Sequence, residues 1–163
     1  MRKSIETILA TIAVPGVAIG LIPYLILRLT GHARSSQPGL FQIVAIFVGL
    51  VGLAMVIWVS YAFVTKGGGT PIPLDPPDRF VASGLFRYVR NPMYLGALLV
   101  VISEAIGIGS PWLVAYAFGL WLALHAFLVF FEEPQLERRF GESYRYYRLS
   151  TPRWIPSRPG DPD

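Results

Sequence analysis

The sequence contains no cysteine and only two histidines, His32 and His125, which lie far apart along the chain. Without cysteine there can be no disulfide and no thiolate metal site, and two distant histidines argue against a histidine metal centre. We therefore expect no metal ion. Charge is also scarce, since only 15% of the 163 residues are Asp, Glu, Lys or Arg. The few charged residues stand between long stretches that carry none.

Those uncharged stretches are apolar. Hydrophobic residues make up 53% of the chain, and their runs are long enough to cross a hydrocarbon core, which takes ~20 helical residues. We predict an all-α, polytopic membrane helix bundle with four spans, at about residues 7–29, 40–65, 93–107 and 112–131. A signal peptide is the alternative for the first run. Its uncharged part, from Thr7 to Leu27, is longer than usual for a signal peptide and favours a retained helix.

The basic residues are distributed unevenly about these spans. Four spans place twelve of the fourteen Lys and Arg on one side and two on the other. The positive-inside rule then puts both termini and the 66–92 loop in the cytoplasm, and we expect a multi-pass protein of a prokaryotic inner membrane. The net charge of +4 could suggest nucleic acid. Because the basic residues stand at membrane-proximal ends, anionic lipid headgroups are the favoured partner. No nucleic acid and no obligate protein partner is expected.

We interpret residues 1–163 as one domain, with two N-terminal spans in 1–65 and the principal motifs in 66–156. The proline-rich stretch 67–77 reads as an extended linker, since its glycine run lacks the remaining features of a phosphate loop. An apolar stripe in the tail predicts one amphipathic helix over 132–147 along the cytoplasmic interface, with Trp154 as a further anchor. The stripe consists of Leu136, Phe140, Tyr144 and Tyr147.

Two blocks of polar residues should meet at the cytoplasmic ends of the third and fourth spans. If these spans form an antiparallel hairpin about Gly109, Glu132 lies level with Phe86 and His125 level with Met93. Residues 90–94 would then converge on the carboxylate pair of Glu132 and its neighbour, around a pocket open to the cytoplasm.

The carboxylates of Glu132 and Glu133 repel each other and require cationic partners at this depth. They are either a solvated helix end paired with Arg138 or Arg139, or a site for the ammonium group of a small cofactor. His125, two helical turns before Glu132, is either a hydrogen-bonded packing residue or a functional group within the membrane.

Five short motifs follow one another at a characteristic spacing: Arg-Asn-Pro-Met-Tyr-Leu-Gly at 90–96, Glu-Glu-Pro-Gln-Leu at 132–136, Phe-Gly at 140–141, Tyr144, and Pro-Arg-Trp-Ile-Pro at 152–156. Together they make residues 66–156 resemble the isoprenylcysteine carboxyl methyltransferase family and its phospholipid methyltransferase relatives. The first two spans match this family only by hydropathy.

The resemblance implies a membrane-embedded methyltransferase that uses S-adenosylmethionine, releases S-adenosylhomocysteine and takes an amphiphilic substrate from the lipid. Carried over position by position, the cofactor contacts fall on Asp78, Arg79, Phe80, Val81, Phe86, Asn91, Pro92, Met93, Tyr94, Glu132 and Glu133. The chain departs from the eukaryotic members at three positions. Asn91 replaces a His, Phe86 replaces a Tyr, and Leu128 replaces a substrate-binding Arg, which argues against a prenylcysteine carboxylate as substrate.

The chemistry of the acceptor stays open. Methyl transfer from a sulfonium to a carboxylate needs mainly in-line alignment and the exclusion of water. An amine acceptor has to be neutral before attack, which makes His125 and Glu133 the candidate catalytic residues, as bases. Two other functions stay open as well. Membrane sterol-type reductases that use NADPH share a similar Arg-x-x-Arg-His-Pro-x-Tyr-x-Gly block, and a non-catalytic membrane scaffold could retain the fold.

Overall fold

The structure, a computed structural model, describes residues 15–31, 39–62 and 83–158. Within these ranges the chain is helical and contains no strand, as the sequence predicts. A 3₁₀ turn, Gly84–Arg87, precedes the motif at 90–96. The α-helices of the described ranges, in chain order, are α1 (Val17–Thr30), α2 (Leu40–Ala62), α3 (Pro92–Ile108), α4 (Pro111–Phe127), α5 (Glu133–Phe140) and α6 (Glu142–Ser150).

Among the residues that the structure describes, two stretches are long and apolar enough to cross a membrane: α2, and the continuous helical run Pro111–Phe140 that includes α4 and α5. In each, only 17% of the most apolar 18-residue segment is buried within the molecule. A core helix of a soluble protein is covered by its neighbours, so these bare apolar surfaces suit a lipid environment. The helices α1 and α3 are apolar but shorter.

The predicted spans agree with these helices to within a few residues at the ends that the structure describes. Residues 7–14 of the first predicted span and 63–65 of the second lie outside the described ranges. The total of four spans therefore stays a prediction.

Prolines widen the helices at two places. Residues Val17–Leu21 in α1 and Leu128–Glu132 between α4 and α5 are π-helical, and each segment is followed two positions later by a proline, Pro23 or Pro134. A proline has no N–H for the usual helical bond, and its ring clashes with the carbonyl four residues earlier. A wider turn before the proline relieves that clash. The wide turn between α4 and α5 ends at Glu132, the first residue of the carboxylate pair.

Close contact between two glycines joins α2 to α3. A Cβ atom on Gly52 would lie 2.6 Å from the carbonyl oxygen of Gly96, and one on Gly96 would lie 2.7 Å from that of Gly52. Small residues allow this backbone approach between apolar helices, where van der Waals packing replaces a hydrophobic driving force. At the end of α2, the indole of Trp58 packs against Gly84, which has a φ of 60°. These contacts fix the start of α3 and the chain that leads into it.

The prediction of one continuous amphipathic helix over 132–147 was wrong. Gly141 has φ 57° and ψ −130°, a conformation that L side chains rarely adopt, and it separates α5 from α6. The chain turns there, so the apolar stripe is divided between two short helices. Tyr144 and Tyr147 on α6 are buried against the protein rather than spread along an interface.

Candidate functional site

A charged cluster forms where the start of α3 meets the start of α5. Glu133 is 5% exposed. Its Oε1 accepts hydrogen bonds from Nη1 of Arg90 at 2.8 Å and from Nε of Arg153 at 2.7 Å. Nη2 of Arg153 donates to the other carboxylate oxygen at 2.9 Å. Two guanidinium groups thus compensate one buried carboxylate, and the fork of Arg153 fits it bidentately.

Glu132 accepts a different hydrogen bond. The hydroxyl of Tyr94 donates to its Oε2 at 2.9 Å. In the ranges that the structure describes, none of the salt bridges involves Glu132. Glu132 is therefore a half-buried carboxylate with a neutral donor beside it, while its neighbour already has two cations.

The predicted convergence of residues 90–94 on the glutamate pair is confirmed by these contacts. The hairpin predicted Glu132 to lie level with Phe86, but Glu132 pairs with Tyr94 instead. Side chains on a helix tilt toward its N-terminus, so in this antiparallel pair Tyr94 tilts toward the end of the hairpin where α3 begins and Glu132 tilts away from that end. Two side chains several residues out of level can thereby meet.

The chain after α6 returns to this cluster as a C-terminal strap, residues 151–158. The backbone N–H of Arg90 donates to the carbonyl of Pro152 at 2.9 Å, and the backbone N–H of Ser157 donates to that of Tyr88 at 3.0 Å. The side-chain amide of Asn91 donates to the carbonyl of Arg153 at 3.2 Å. The strap therefore lies along residues 88–91, and Arg153 reaches Glu133 from it.

The strap also carries an aromatic residue to His125. Nε1–H of Trp154 donates to Nδ1 of His125 at 3.1 Å. The imidazole and two indoles form a three-ring cluster, in which the imidazole centroid lies 6.4 Å from that of Trp154 and 5.6 Å from that of Trp121, and the two indole centroids are 6.4 Å apart. Trp154 is half-buried and bonded to His125, and its expected role as an interfacial anchor stays a prediction.

Two tyrosines of α6 pack under the cluster. The hydroxyl of Tyr147 donates to the carbonyl of Phe86 at 2.7 Å, which ties α6 to the 3₁₀ turn. Tyr144 is 3% exposed. Burial and the nearby Glu133 carboxylate raise the pKa of Tyr144 to about 12, although Arg90 opposes the shift. The hydrogen bond to Glu133 raises the pKa of Arg153, so its guanidinium stays charged.

Most of the predicted site residues within the described ranges come together here: Phe86, Asn91, Pro92, Met93, Tyr94, Glu132 and Glu133 occupy the 3₁₀ turn, the start of α3 and the start of α5. Pro92 is fully buried as the first residue of α3, a position where its missing N–H costs nothing. The segment 78–81, with Arg79, Phe80 and Val81, lies outside the described residues.

Three residues at the site were not among the predicted cofactor-binding or catalytic residues: Arg90, Arg153 and Trp154. Of these, Arg90 belongs to the block 90–94 that was expected to converge here. The signal that points to the two arginines is the carboxylate pair itself, because a buried carboxylate requires cations. Arg138 and Arg139, considered earlier as partners, do not pair with Glu133. Leu128 is 1% exposed within the π-helical turn, so its side chain fills the core.

The fold and the site define a helical membrane protein whose polar residues gather at one end of its apolar helices. The sequence model of the phospholipid methyltransferase family matches residues 40–143, and the chain belongs to that family. The match includes α2, which resembled the family only by hydropathy, and ends before the strap. A stretch of 65 residues, 39% of the chain, is 34% identical to the whole length of an uncharacterized protein from Haemophilus influenzae. Family membership implies a membrane methyltransferase.

Proposed function

We propose that this protein is an integral membrane methyltransferase that uses S-adenosylmethionine and acts on a lipid or another amphiphile. The observation that carries the proposal is the difference between the two adjacent glutamates. Glu133 is held by Arg90 and Arg153, whereas Glu132 accepts a hydrogen bond from the neutral Tyr94. In a chain of this family, Glu132 is the carboxylate left to bind the ammonium group of the cofactor.

The residues around Glu132 suit a cationic, partly apolar ligand. A carboxylate attracts both the ammonium and the sulfonium of S-adenosylmethionine, and the half-buried Met93, which precedes Tyr94 on α3, offers apolar surface. Asn91 holds the strap against the start of α3, and Tyr94 orients the Glu132 carboxylate. When bound, the cofactor supplies an electrophilic methyl group on its sulfonium.

The substrate class follows from the surroundings of the site. The apolar helices α2 and α4 expose large side chains along much of their length, and these surfaces suit acyl chains. An amphiphile in the bilayer would approach with its headgroup at the level of the charged cluster. The lipid bilayer is accordingly the proposed partner.

The proposed topology has four spans and both termini in the cytoplasm, on the side where the cofactor is available. It is supported by the excess of Lys and Arg on that side. Reporter fusions at residue 163 and within residues 30–38 test it, and we expect opposite signals. A C-terminus on the far side of the membrane would remove the proposed site from its cofactor.

The proposed activity is tested by isothermal titration of detergent-purified protein with S-adenosylhomocysteine and, separately, with NADPH. We expect S-adenosylhomocysteine to bind and NADPH not to bind. Binding of NADPH alone would indicate a reductase, and binding of neither would indicate a non-catalytic protein. Either of these results would contradict the proposal.

A further inference from the structure

We propose that Trp154 is a positioning residue that fixes His125 in its Nε2–H tautomer. An indole N–H can only donate, so the 3.1 Å contact requires a lone pair on Nδ1 of His125. A neutral imidazole with a lone pair on Nδ1 carries its proton on Nε2. An imidazolium has no lone pair on either ring nitrogen and cannot accept this bond.

The strap places Trp154 for this contact. Residues on both sides of Trp154 are bonded to the body of the protein, Pro152 to the backbone of Arg90 and Ser157 to that of Tyr88. Arg153 adds its bidentate contact with Glu133. Trp121, one turn before His125 on α4, holds the imidazole by ring contact at 5.6 Å. The position of Trp154 is thus set by the same Arg90–Glu133 cluster that lies beside Glu132.

This tautomer gives His125 a definite role. From Nε2 it donates a hydrogen bond, so it can orient an acceptor oxygen but cannot remove a proton from an acceptor. That role differs from the base role expected for an amine acceptor. The catalytic consequence rests on the proposed function, whereas the tautomer does not, because it can be measured without substrate or cofactor.

Nitrogen NMR of protein labelled with ¹⁵N-histidine tests the proposal. A His32→Gln background leaves His125 as the single histidine. We expect a pyridine-type shift for Nδ1 and a pyrrole-type shift for Nε2. In Trp154→Phe, which keeps a ring but loses the donor, the two shifts should move toward each other as the tautomers mix.

Trp121→Phe is the matched control, since it removes an indole that contacts the same imidazole by its ring. In Trp121→Phe, His125 should keep the same tautomer as in the parent protein. A pyrrole-type Nδ1 in the parent protein, or identical shifts in the parent and Trp154→Phe, would overturn the proposal. If Trp154→Phe does not fold, the nitrogen–nitrogen coupling across the hydrogen bond between Nε1 of Trp154 and Nδ1 of His125 in doubly labelled parent protein decides, and its absence would overturn the proposal. A parent with the expected tautomer that does not bind S-adenosylhomocysteine would contradict the proposed function and leave the positioning role standing.

Discussion

Glu132 and Glu133 are neighbours in sequence, yet they bond to different kinds of partner. Glu133 is enclosed by two guanidinium groups, and Glu132 accepts a hydrogen bond from the hydroxyl of Tyr94. Neighbouring residues on a helix project roughly 100° apart, so the two carboxylates point toward different neighbours. The Glu133 carboxylate therefore joins helices and strap, and the Glu132 carboxylate is the one proposed to bind a ligand.

Glu133→Gln should destabilise the protein. The substitution keeps the size of the side chain but leaves the largely buried Arg90, 10% exposed at its side chain, without its counter-charge. Loss of one partner from a buried ion pair costs ~3 kcal/mol or more. The free energy of unfolding in detergent micelles measures the effect.

Glu142→Gln is the matched control for that experiment, because the Glu142 side chain is 86% exposed and its pairing with Arg145 is a surface contact. It should leave stability unchanged. If Glu133→Gln were as stable as the parent, the charged cluster would not be what holds the strap to the helices.

Gly52→Ala should also destabilise the protein, by pushing α2 away from α3. The new Cβ would stand 2.6 Å from the carbonyl oxygen of Gly96, a backbone atom that cannot rotate away. Overpacking of this kind costs ~1–3 kcal/mol. Gly119→Ala on α4 is the control, since a Cβ there meets nothing within 4 Å and a helical alanine is favoured over glycine. Equal stabilities of the two variants would refute the close glycine contact.

The sequence is sufficient to predict the helices and the meeting of the two motif blocks, because apolar runs and the turn at Gly109 are local signals. The sequence is not sufficient to predict which residues pair with Glu133. Arg153 reaches that carboxylate through a strap that folds back over residues 88–91, a non-local arrangement without periodicity. The helix break at Gly141 was also missed, since an apolar stripe at helical spacing continues across the glycine and conceals the turn.

The parent protein should methylate a farnesylated cysteine analogue weakly or not at all, compared with phosphatidylethanolamine or a native lipid extract. The residue at the position of the family's substrate-binding Arg is Leu128, which is 1% exposed and carries no charge for a carboxylate. Incorporation of a labelled methyl group measures turnover. His125→Ala should lower the turnover of the preferred substrate. Robust turnover of the prenylcysteine analogue would show that the argument from Leu128 is wrong, and undiminished turnover in His125→Ala would make His125 a packing residue.

The central claim is that Glu132 binds the amino group of the cofactor, and the affinity of Glu132→Gln for S-adenosylhomocysteine tests it most directly. Loss of a charge-assisted hydrogen bond costs ~1.5–3 kcal/mol, so titration calorimetry should show Kd raised about 10- to 150-fold. The exposed Glu142→Gln should bind as the parent does. An unchanged Kd in folded Glu132→Gln would contradict the account.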